Sequence, residues 1–550
     1  MRFALALFTV SGLAATVLAQ GAGLTGPSTT ASSYMVPSNP ASGVRFTSIA
    51  TALNTEFHRN LDTGASSYRL VGIPDGMGIY RDADDLANDT FSLLVNHELG
   101  DSSGIVRLHG NCGAFVSQWK IRRSDFGVVG ARDLSTEYNL FNLASNTFQT
   151  FNASNPMPDY AQTAANPQGW GSVNTDGIGR LCSGDLAPVS AFRFTDASGN
   201  TFGTQERLFL NGEERGDSGR AFAHVVTGVD ARKSFELPDL ADFSWENAIA
   251  SPFAQRKTVV AGTDDSTPGQ VYFYVGEKQQ TGNDIEKAGL MGGKTYGLRA
   301  AGFATEGAAP INVAFDMVDL SASQRDAGST FQAVSNANNV TNFARPEDGA
   351  WNPLNPNEFI WVNTGSAAAP TRIYRALFND IANPELGGTV TMLGQGNDLT
   401  SFSGGFTSAT GATGGASFDN MAISRFGQVL IQEDPGNNDR LCRLWLYDLA
   451  ADSLLEVGVS DSFFFGDSNP SLPGVQALLT RDEESSGIVD AWDIIGPGWW
   501  VLNMQAHYGI SGELVEGGQL MAVFIPQTVP APGAAALLGL AGLVATRRRR

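Results

Sequence analysis

A short apolar run that stops on acidic residues, a polar turn, and a second apolar run recur through this chain. Phe91-Ser-Leu-Leu-Val-Asn-His-Glu98 is followed by the turn at 99–104 and the run 114–121. Arg207-Leu-Phe-Leu-Asn-Gly-Glu-Glu214 precedes a turn at 215–219 and the run 221–226. Residues 257–265 end Gly-Thr-Asp-Asp and lead to Gln270-Val-Tyr-Phe-Tyr-Val275. Gln428-Val-Leu-Ile-Gln-Glu-Asp434 leads through Pro-Gly-Asn-Asn to Arg443-Leu-Trp-Leu-Tyr-Asp-Leu449, and 499–507 leads to 519–525. Short runs rich in Val, Ile, Phe, Tyr and Trp between turn residues are strand signals, and long helical periods are nearly absent. The pattern therefore predicts an all-β chain, either a large β-sandwich or a β-propeller. The propeller is preferred, because the repeat spaces its acidic strand ends through most of the chain. Six blades over residues 45–526 would average about 80 residues each, so long insertions must decorate them, with 123–180 and 278–345 as candidates.

Composition agrees with one large β-rich domain. Gly is abundant at 63 residues, while charged residues make up only 17%. The formal charge of −21 argues against a nucleic-acid partner, whose phosphates would meet net repulsion, and suits sites that hold cations. Residues 1–22 read as a signal peptide: Arg2, an apolar run from Phe3 to Leu18, then small residues. No twin-Arg pair precedes the run. Residues 23–44, rich in Ser, Thr, Pro, Gly and Ala, are expected to form a flexible leader. At the other end, Val529-Pro-Ala-Pro-Gly533 leads into an apolar stretch at 534–545 and closes on four arginines, Arg547 to Arg550. Twelve apolar residues span roughly 18 Å as a helix, short for an independent membrane anchor. The tail 529–550 resembles the PEP-CTERM sorting signal, which implies processing by an exosortase-type enzyme. The chain is thus expected to be exported to the periplasm or cell surface, or released, with membrane contact only through this tail.

The placement of carboxylates carries the chemistry. Glu98, Glu213, Glu214, Asp264, Asp265, Glu433 and Asp434 lie where an apolar strand stops. Glu347 and Asp348, and Asp419, are read as lying just before a strand begins, and Glu483, Glu484 and Asp490 belong to a late acidic stretch. In a propeller such positions can converge on one mouth of the central channel. Clustered carboxylates repel one another unless cations compensate them. Oxygen ligands at this density suit Ca²⁺ or Mg²⁺, and iron where a thiolate or imidazole joins. None of the five histidines has a zinc-motif spacing, and neither a Gly-x-Ser-x-Gly elbow nor a Walker loop is present. Cys182 could serve as a metal thiolate or pair with Cys112 in an oxidising compartment.

With these residues in view, the chain resembles the PhoX-type alkaline phosphatases, metal-dependent enzymes on a six-bladed propeller. The carriers are Gly-Ile-Pro-Asp-Gly-Met-Gly (72–78), Val-Asn-His-Glu (95–98), Asn-Gly-Glu-Glu (211–214), Arg-Pro-Glu-Asp (345–348), Gln-Glu-Asp-Pro-Gly (432–436) and Val-Leu-Asn-Met-Gln-Ala-His (501–507). After its cysteine, the chain reads Asp-Leu-Ala-Pro-Val-Ser-Ala-Phe where the family has Thr-Pro-Trp-Gly-Thr, and Gln-Ala-His-Tyr replaces its Gln-His-Pro. The resemblance implies hydrolysis of small phosphate esters at an iron–calcium cluster. It implies Glu98, Cys182, Glu213, Glu214, Glu347 and Asp434 as ligands. Arg345 and Arg220 are expected to clamp phosphate, since a guanidinium can bind two phosphate oxygens. Two other readings remain open from the residues: a non-catalytic, calcium-stabilised surface or matrix protein, and a metal-dependent hydrolase of another ester.

Overall fold

The computed structural model describes residues 23–173, 175–365, 370–437, 440–466 and 479–526. The segments 1–22 and 529–550, expected from the sequence to be a signal peptide and a sorting tail, lie outside the described residues. The described chain is mostly strand, with three short α-helices, Ala83–Asn88, Asp284–Lys287 and Gly328–Ala337.

All five predicted hairpins form. Thr90–His97 pairs antiparallel with Phe115–Arg122, Leu208–Glu213 with Ala221–Val225, and Lys257–Asp264 with Val271–Glu277. Gln428–Glu433 pairs with Arg443–Asp448, and Trp499–Ile510 with Val515–Phe524. A sixth hairpin joins Glu358–Asn363 to Arg372–Phe378. Each hairpin is flanked on one side by a short strand. In chain order these are Pro74–Tyr80, Leu181–Asp185, Trp245–Ala250, Pro346–Trp351, Phe418–Ile423 and the pair of stubs Glu483–Glu484 and Ile488–Asp490. A fourth strand completes each unit on the other side. The units of Trp245–Ala250 and Pro346–Trp351 are joined through Asn312–Asp319 into one nine-stranded sheet. In the last unit the fourth strand comes from the start of the chain: Arg45–Thr51 pairs antiparallel with Val515–Phe524. The six short strands pack flank to flank, and Ile488–Asp490 returns to pack on Pro74–Tyr80, so they close a ring.

Period-two alternation explains how the ring is filled. Leu93 and Val95 face one seam with Trp119, Val501 and Leu520, while Leu94 faces the next with Val116, Leu181 and Phe209. Similar apolar clusters fill the other seams, for example Phe273, Trp351, Phe359 and Phe378. A fully buried side chain of this size contributes roughly 1.5–3 kcal/mol, so the seams hold the units together.

Residues 23–44 do not form a loose leader. Met35–Pro37 pairs antiparallel with Gly458, Val459 and Ser460, and Tyr34 and Met35 are fully buried beside Phe465 and Met521. The stretches 123–180 and 278–345 are only in part insertions, since Val128–Asp133 and Lys294–Ala300 are the fourth strands of their units.

Candidate metal centre

The ring is polar at the end where the short strands begin. Four of them follow a non-glycine residue in the left-handed region: Ile73 (φ 49°), Arg180 (φ 50°), Arg345 (φ 56°) and Ser417 (φ 47°). Such residues cost roughly 1–3 kcal/mol each and persist where surrounding structure fixes them. Two positions on stand Asp75, Cys182, Glu347 and Asp419. In each of these strands, and in Trp245–Ala250, the register breaks after the first cross-strand pair: Pro74↔His97, Leu181↔Glu213, Trp245↔Asp264, Pro346↔Asn363 and Phe418↔Glu433. A bulge re-aims the side chain it carries. Here the five bulges carry Asp75, Cys182, Glu246, Glu347 and Asp419. The facing strands end one residue before Glu98, Glu214, Asp265, Thr364 and Asp434, so two polar residues meet at each strand pair.

Eight of these side chains, joined by Glu484, form one arc. Ligand atoms of Asp75, Glu98 and Cys182 lie within 4.8 Å of one another, as do those of Cys182, Glu214 and Glu246, of Glu246, Glu347 and Asp419, and of Asp419, Asp434 and Glu484. Each trio shares a member with the next. Two oxygens bound to one calcium ion are at most about 5 Å apart, so each trio can share a cation.

Adjacent carboxylates divide their roles because they point in opposite directions. Glu213 receives Arg220 Nε (2.6 Å) and the Gly179 amide (2.9 Å), whereas Glu214 joins the arc. Glu433 receives Arg440 Nη2 (2.5 Å) and Trp445 Nε1 (2.8 Å), whereas Asp434 joins the arc. Asp348 receives Asn247 Nδ2 (2.6 Å) and the Met421 amide (3.0 Å), leaving Glu347 to the arc. Glu483 receives the Cys442 amide (3.1 Å), leaving Glu484.

The arc lacks enough internal donors to neutralise it. Arg180 bridges Glu98 (Nη2 to Oε1, 2.7 Å) and Glu214 (Nη2 to Oε2, 2.5 Å). Arg345 binds Asp265 through Nε (2.7 Å) and Nη2 (2.9 Å) and reaches Glu347 at 3.3 Å. The Gln505 amide nitrogen donates to Asp75 (2.9 Å), Glu98 (3.0 Å) and Glu484 (3.3 Å). Thr364 donates to Glu347, and Glu246 Oε1 is buried with no hydrogen-bond partner. Burial, then repulsion from Glu98, Glu246 and Glu484, pushes the Asp75 carboxyl well above its ordinary range. Burial likewise raises Glu214, Glu347 and Asp419, lifts Glu246 to about 8, and lifts Asp434 to about 7 with help from Glu484. The Cys182 thiol is pushed up by burial and by Asp75, Glu246 and Glu98. Eight buried or half-buried carboxylates, an orphaned carboxylate oxygen and a thiol fit hard divalent cations, with the sulfur suited to a transition metal.

Five predicted ligands, Glu98, Cys182, Glu214, Glu347 and Asp434, thus come together. Glu213 does not: strand alternation turns it into a buried pair with Arg220. Arg220 is correspondingly no phosphate clamp at the mouth. Its side chain is 3% exposed, paired to Glu213, and lies 3.9 Å over the Tyr160 ring. Arg345, expected to clamp phosphate, borders the arc, where it pairs with Asp265 and Glu347. The disulfide alternative fails, since Cys112 and Cys182 are both free thiols. Glu347, Asp348 and Asp419 lie inside short strands rather than before them. Asp419 and Glu484 belonged to the acidic pattern but not to the expected ligand set. Asp75, Glu246, Arg180 and Gln505 lie outside the acidic strand ends that the sequence pattern marks. Asp75 and Gln505 sit inside the quoted motifs 72–78 and 501–507, which is the signal that could have marked them.

A family model described as "Alkaline phosphatase PhoX" matches residues 229–445, less than half of the chain. Among solved structures, Pseudomonas fluorescens PhoX in complex with vanadate, a transition state analogue, aligns with a TM-score of 0.59 at 11% identity, covering 92% of this chain and 98% of that one. A glucose dehydrogenase aligns with a TM-score of 0.35 at 10% identity, covering 87% and 98%. No curated protein sequence matches the chain. The first of these alignments establishes likeness of fold.

Proposed function

We propose that this chain is an exported, metal-dependent hydrolase of phosphate esters on a six-bladed β-propeller. Its metal would be calcium, joined by iron at Cys182. The observation that carries the reading is the continuous arc of nine ligands at one end of the ring. The PhoX family match over 229–445 and the shared fold support it. Cations bound there would supply Lewis-acid activation of an oxygen nucleophile and would neutralise charge developing on the phosphoryl group.

The chain's own residues supply the rest. The bulged strands fix Asp75, Cys182, Glu246, Glu347 and Asp419 against the ends of the facing strands, so the ligand set is preorganised. The Gln505 amide links the two ends of the arc, Asp75 and Glu484, without adding charge. Arg345, at the rim with 35% of its side chain exposed, would bind a phosphate oxygen through the part of its guanidinium that Asp265 does not hold. Residues 1–22 would direct export, and the tail at 529–550 would sort the chain to the surface through an exosortase-type enzyme.

The test is phosphate-ester hydrolysis by the purified chain, stripped of metal and reloaded with Ca²⁺, with and without iron, beside Glu214→Ala. Turnover restored by metal and lost in the variant is expected. A calcium-dependent rise in melting temperature with no turnover would instead support the non-catalytic surface protein.

A further inference from the structure

We propose that Arg180 is a second phosphate-binding guanidinium, the counterpart of Arg345, freed for that task when cations take the carboxylates it now bridges. The inference rests on the phosphate-ester reading of this site and names a group within it.

Four short strands share one construction, a left-handed residue two positions before a ligand, at Ile73, Arg180, Arg345 and Ser417. Of these four positions, Arg180 and Arg345 carry a cation. Their backbones are tied in matched ways. The Arg180 amide donates to Leu99 O (2.8 Å) and its carbonyl accepts the Glu214 amide (2.8 Å). The Arg345 amide donates to Ser266 O (3.1 Å) and its carbonyl accepts the Thr364 amide (3.1 Å). Glu214 and Thr364 hold equivalent places, each one residue past the end of the facing strand. Both arginines are thus anchored at the rim independently of what their side chains bind.

The Arg180 side chain is built for exchange rather than for support. A structural arginine in this molecule looks like Arg220, 3% exposed and stacked on an aromatic ring. Arg180 is half-exposed (50%), and among the described residues its charged partners are Glu98 and Glu214. Both belong to the trios that can share a cation, Asp75–Glu98–Cys182 and Cys182–Glu214–Glu246. Oxygen lone pairs committed to a cation are withdrawn from the guanidinium, so loading the arc weakens both ion pairs at once. The backbone ties remain, which leaves a planar set of N–H donors at the rim. Such a fork matches two phosphate oxygens. Two guanidiniums from different units together suit the terminal, dianionic phosphate of a monoester better than a diester, which has one charge and two free oxygens.

The test compares the full chain with Arg180→Gln and Arg180→Lys, each calcium-loaded, for inhibition by inorganic phosphate. It also measures Ca²⁺ binding to the metal-stripped proteins by calorimetry. Arg180→Gln should weaken phosphate inhibition at least about tenfold, with Arg180→Lys weakened less because it keeps the charge but loses the fork. The stripped Arg180→Gln protein should bind Ca²⁺ several-fold more tightly, since a competitor for Glu98 and Glu214 is gone. The monoester-to-diester ratio of kcat/KM should fall. Unchanged phosphate inhibition in variants that melt like the parent would overturn the inference alone. So would calcium binding that weakens, which would make Arg180 a scaffold of the arc. If Arg180→Gln does not fold, Arg180→Lys decides by the same readouts. A parent chain that neither hydrolyses esters nor binds phosphate would overturn the reading of the site together with this inference.

Discussion

The two ends of the ring are made by the same strands and behave in opposite ways. Where the short strands begin, Asp75, Cys182, Glu246, Glu347 and Asp419 converge with too few protein donors. Where they continue, they line a cavity of about 470 Å³ walled by Met77, Ile79, Leu186, Ile249, Met421 and Ile423. Carboxylates are present there too. Asp185 accepts the Ala250 amide (3.1 Å), and Asp348 accepts Asn247 and the amides of Gly349 and Met421. Both ends therefore bury acid, and burial alone does not mark a site. What separates them is crowding: in the arc the ligand atoms of neighbouring acids lie within 4.8 Å of one another with few N–H groups between them, whereas Asp185 and Asp348 each stand apart against N–H donors of the protein. A buried acid answered from within is structure, while one left to its neighbours calls for a ligand from outside.

Substitutions at the two ends should separate sharply. Glu246→Ala removes a ligand shared by two trios and should lower activity by at least about 100-fold with loss of metal, since even outer-shell losses cost 10–100-fold. Elemental analysis and steady-state assays on the purified variant check it, and full metal content with full activity would erase the contrast. Next in size, Glu213→Ala strands the buried Arg220 and should destabilise the fold by about 3–5 kcal/mol, while activity per folded molecule persists. Denaturant melts paired with active-site titration test this; a Glu213 variant that folds well but loses metal would return Glu213 to the arc.

A pH series gives a smaller, signed effect. Glu246 and Asp434, held near 8 and 7 in the metal-free fold, ionise near 4.5 and 3.8 when unfolded. Folded values above unfolded ones mean that their contribution is fully present below about pH 4 and is lost as pH rises through 7 to 8. The metal-stripped chain should accordingly melt several degrees lower at pH 8.5 than at pH 5.5. Asp185, Asp242, Asp264 and Glu483, raised by burial to about 7 or 8 outside the arc, add to that slope, and calcium should remove only the share of the arc. Melting curves that are pH-independent without metal would break the account of the arc. Smallest of all, Asp185→Asn at the cavity end should change kcat/KM by less than about twofold, as expected away from a binding site.

The strands best read from sequence are those that alternate apolar residues into two seams, such as 91–98 and 428–434. Their hairpins form as expected for that reason. The short strands are only partly legible: strands are read to begin after Asp348 and Asp419, but Pro74-Asp-Gly-Met-Gly and Pro346-Glu-Asp-Gly-Ala read as turns. They hold strand conformation through their neighbours in the ring, not through propensity. The same bulges hid the ligand set. Period two says that Glu213 and Glu214 face opposite ways, but only the bulge fixes which faces the arc. The pattern therefore located the acidic strand ends but could not choose between adjacent carboxylates. Residues 23–44 misled in the other direction. A Ser-, Thr- and Pro-rich stretch became ordered because Tyr34 and Met35 fill the seam beside Phe465 and Met521.

The central claim is that the arc holds cations, and calcium titration of the metal-stripped full chain by calorimetry tests it most directly, with Asp419→Asn beside it. Asp419 belongs to two trios and donates nothing to the apolar seams. The account predicts more than one calcium per chain, with at least one lost in Asp419→Asn and a matching fall in the calcium-dependent rise of Tm. Absence of calcium binding at millimolar concentration, or binding unchanged by Asp419→Asn, would contradict it.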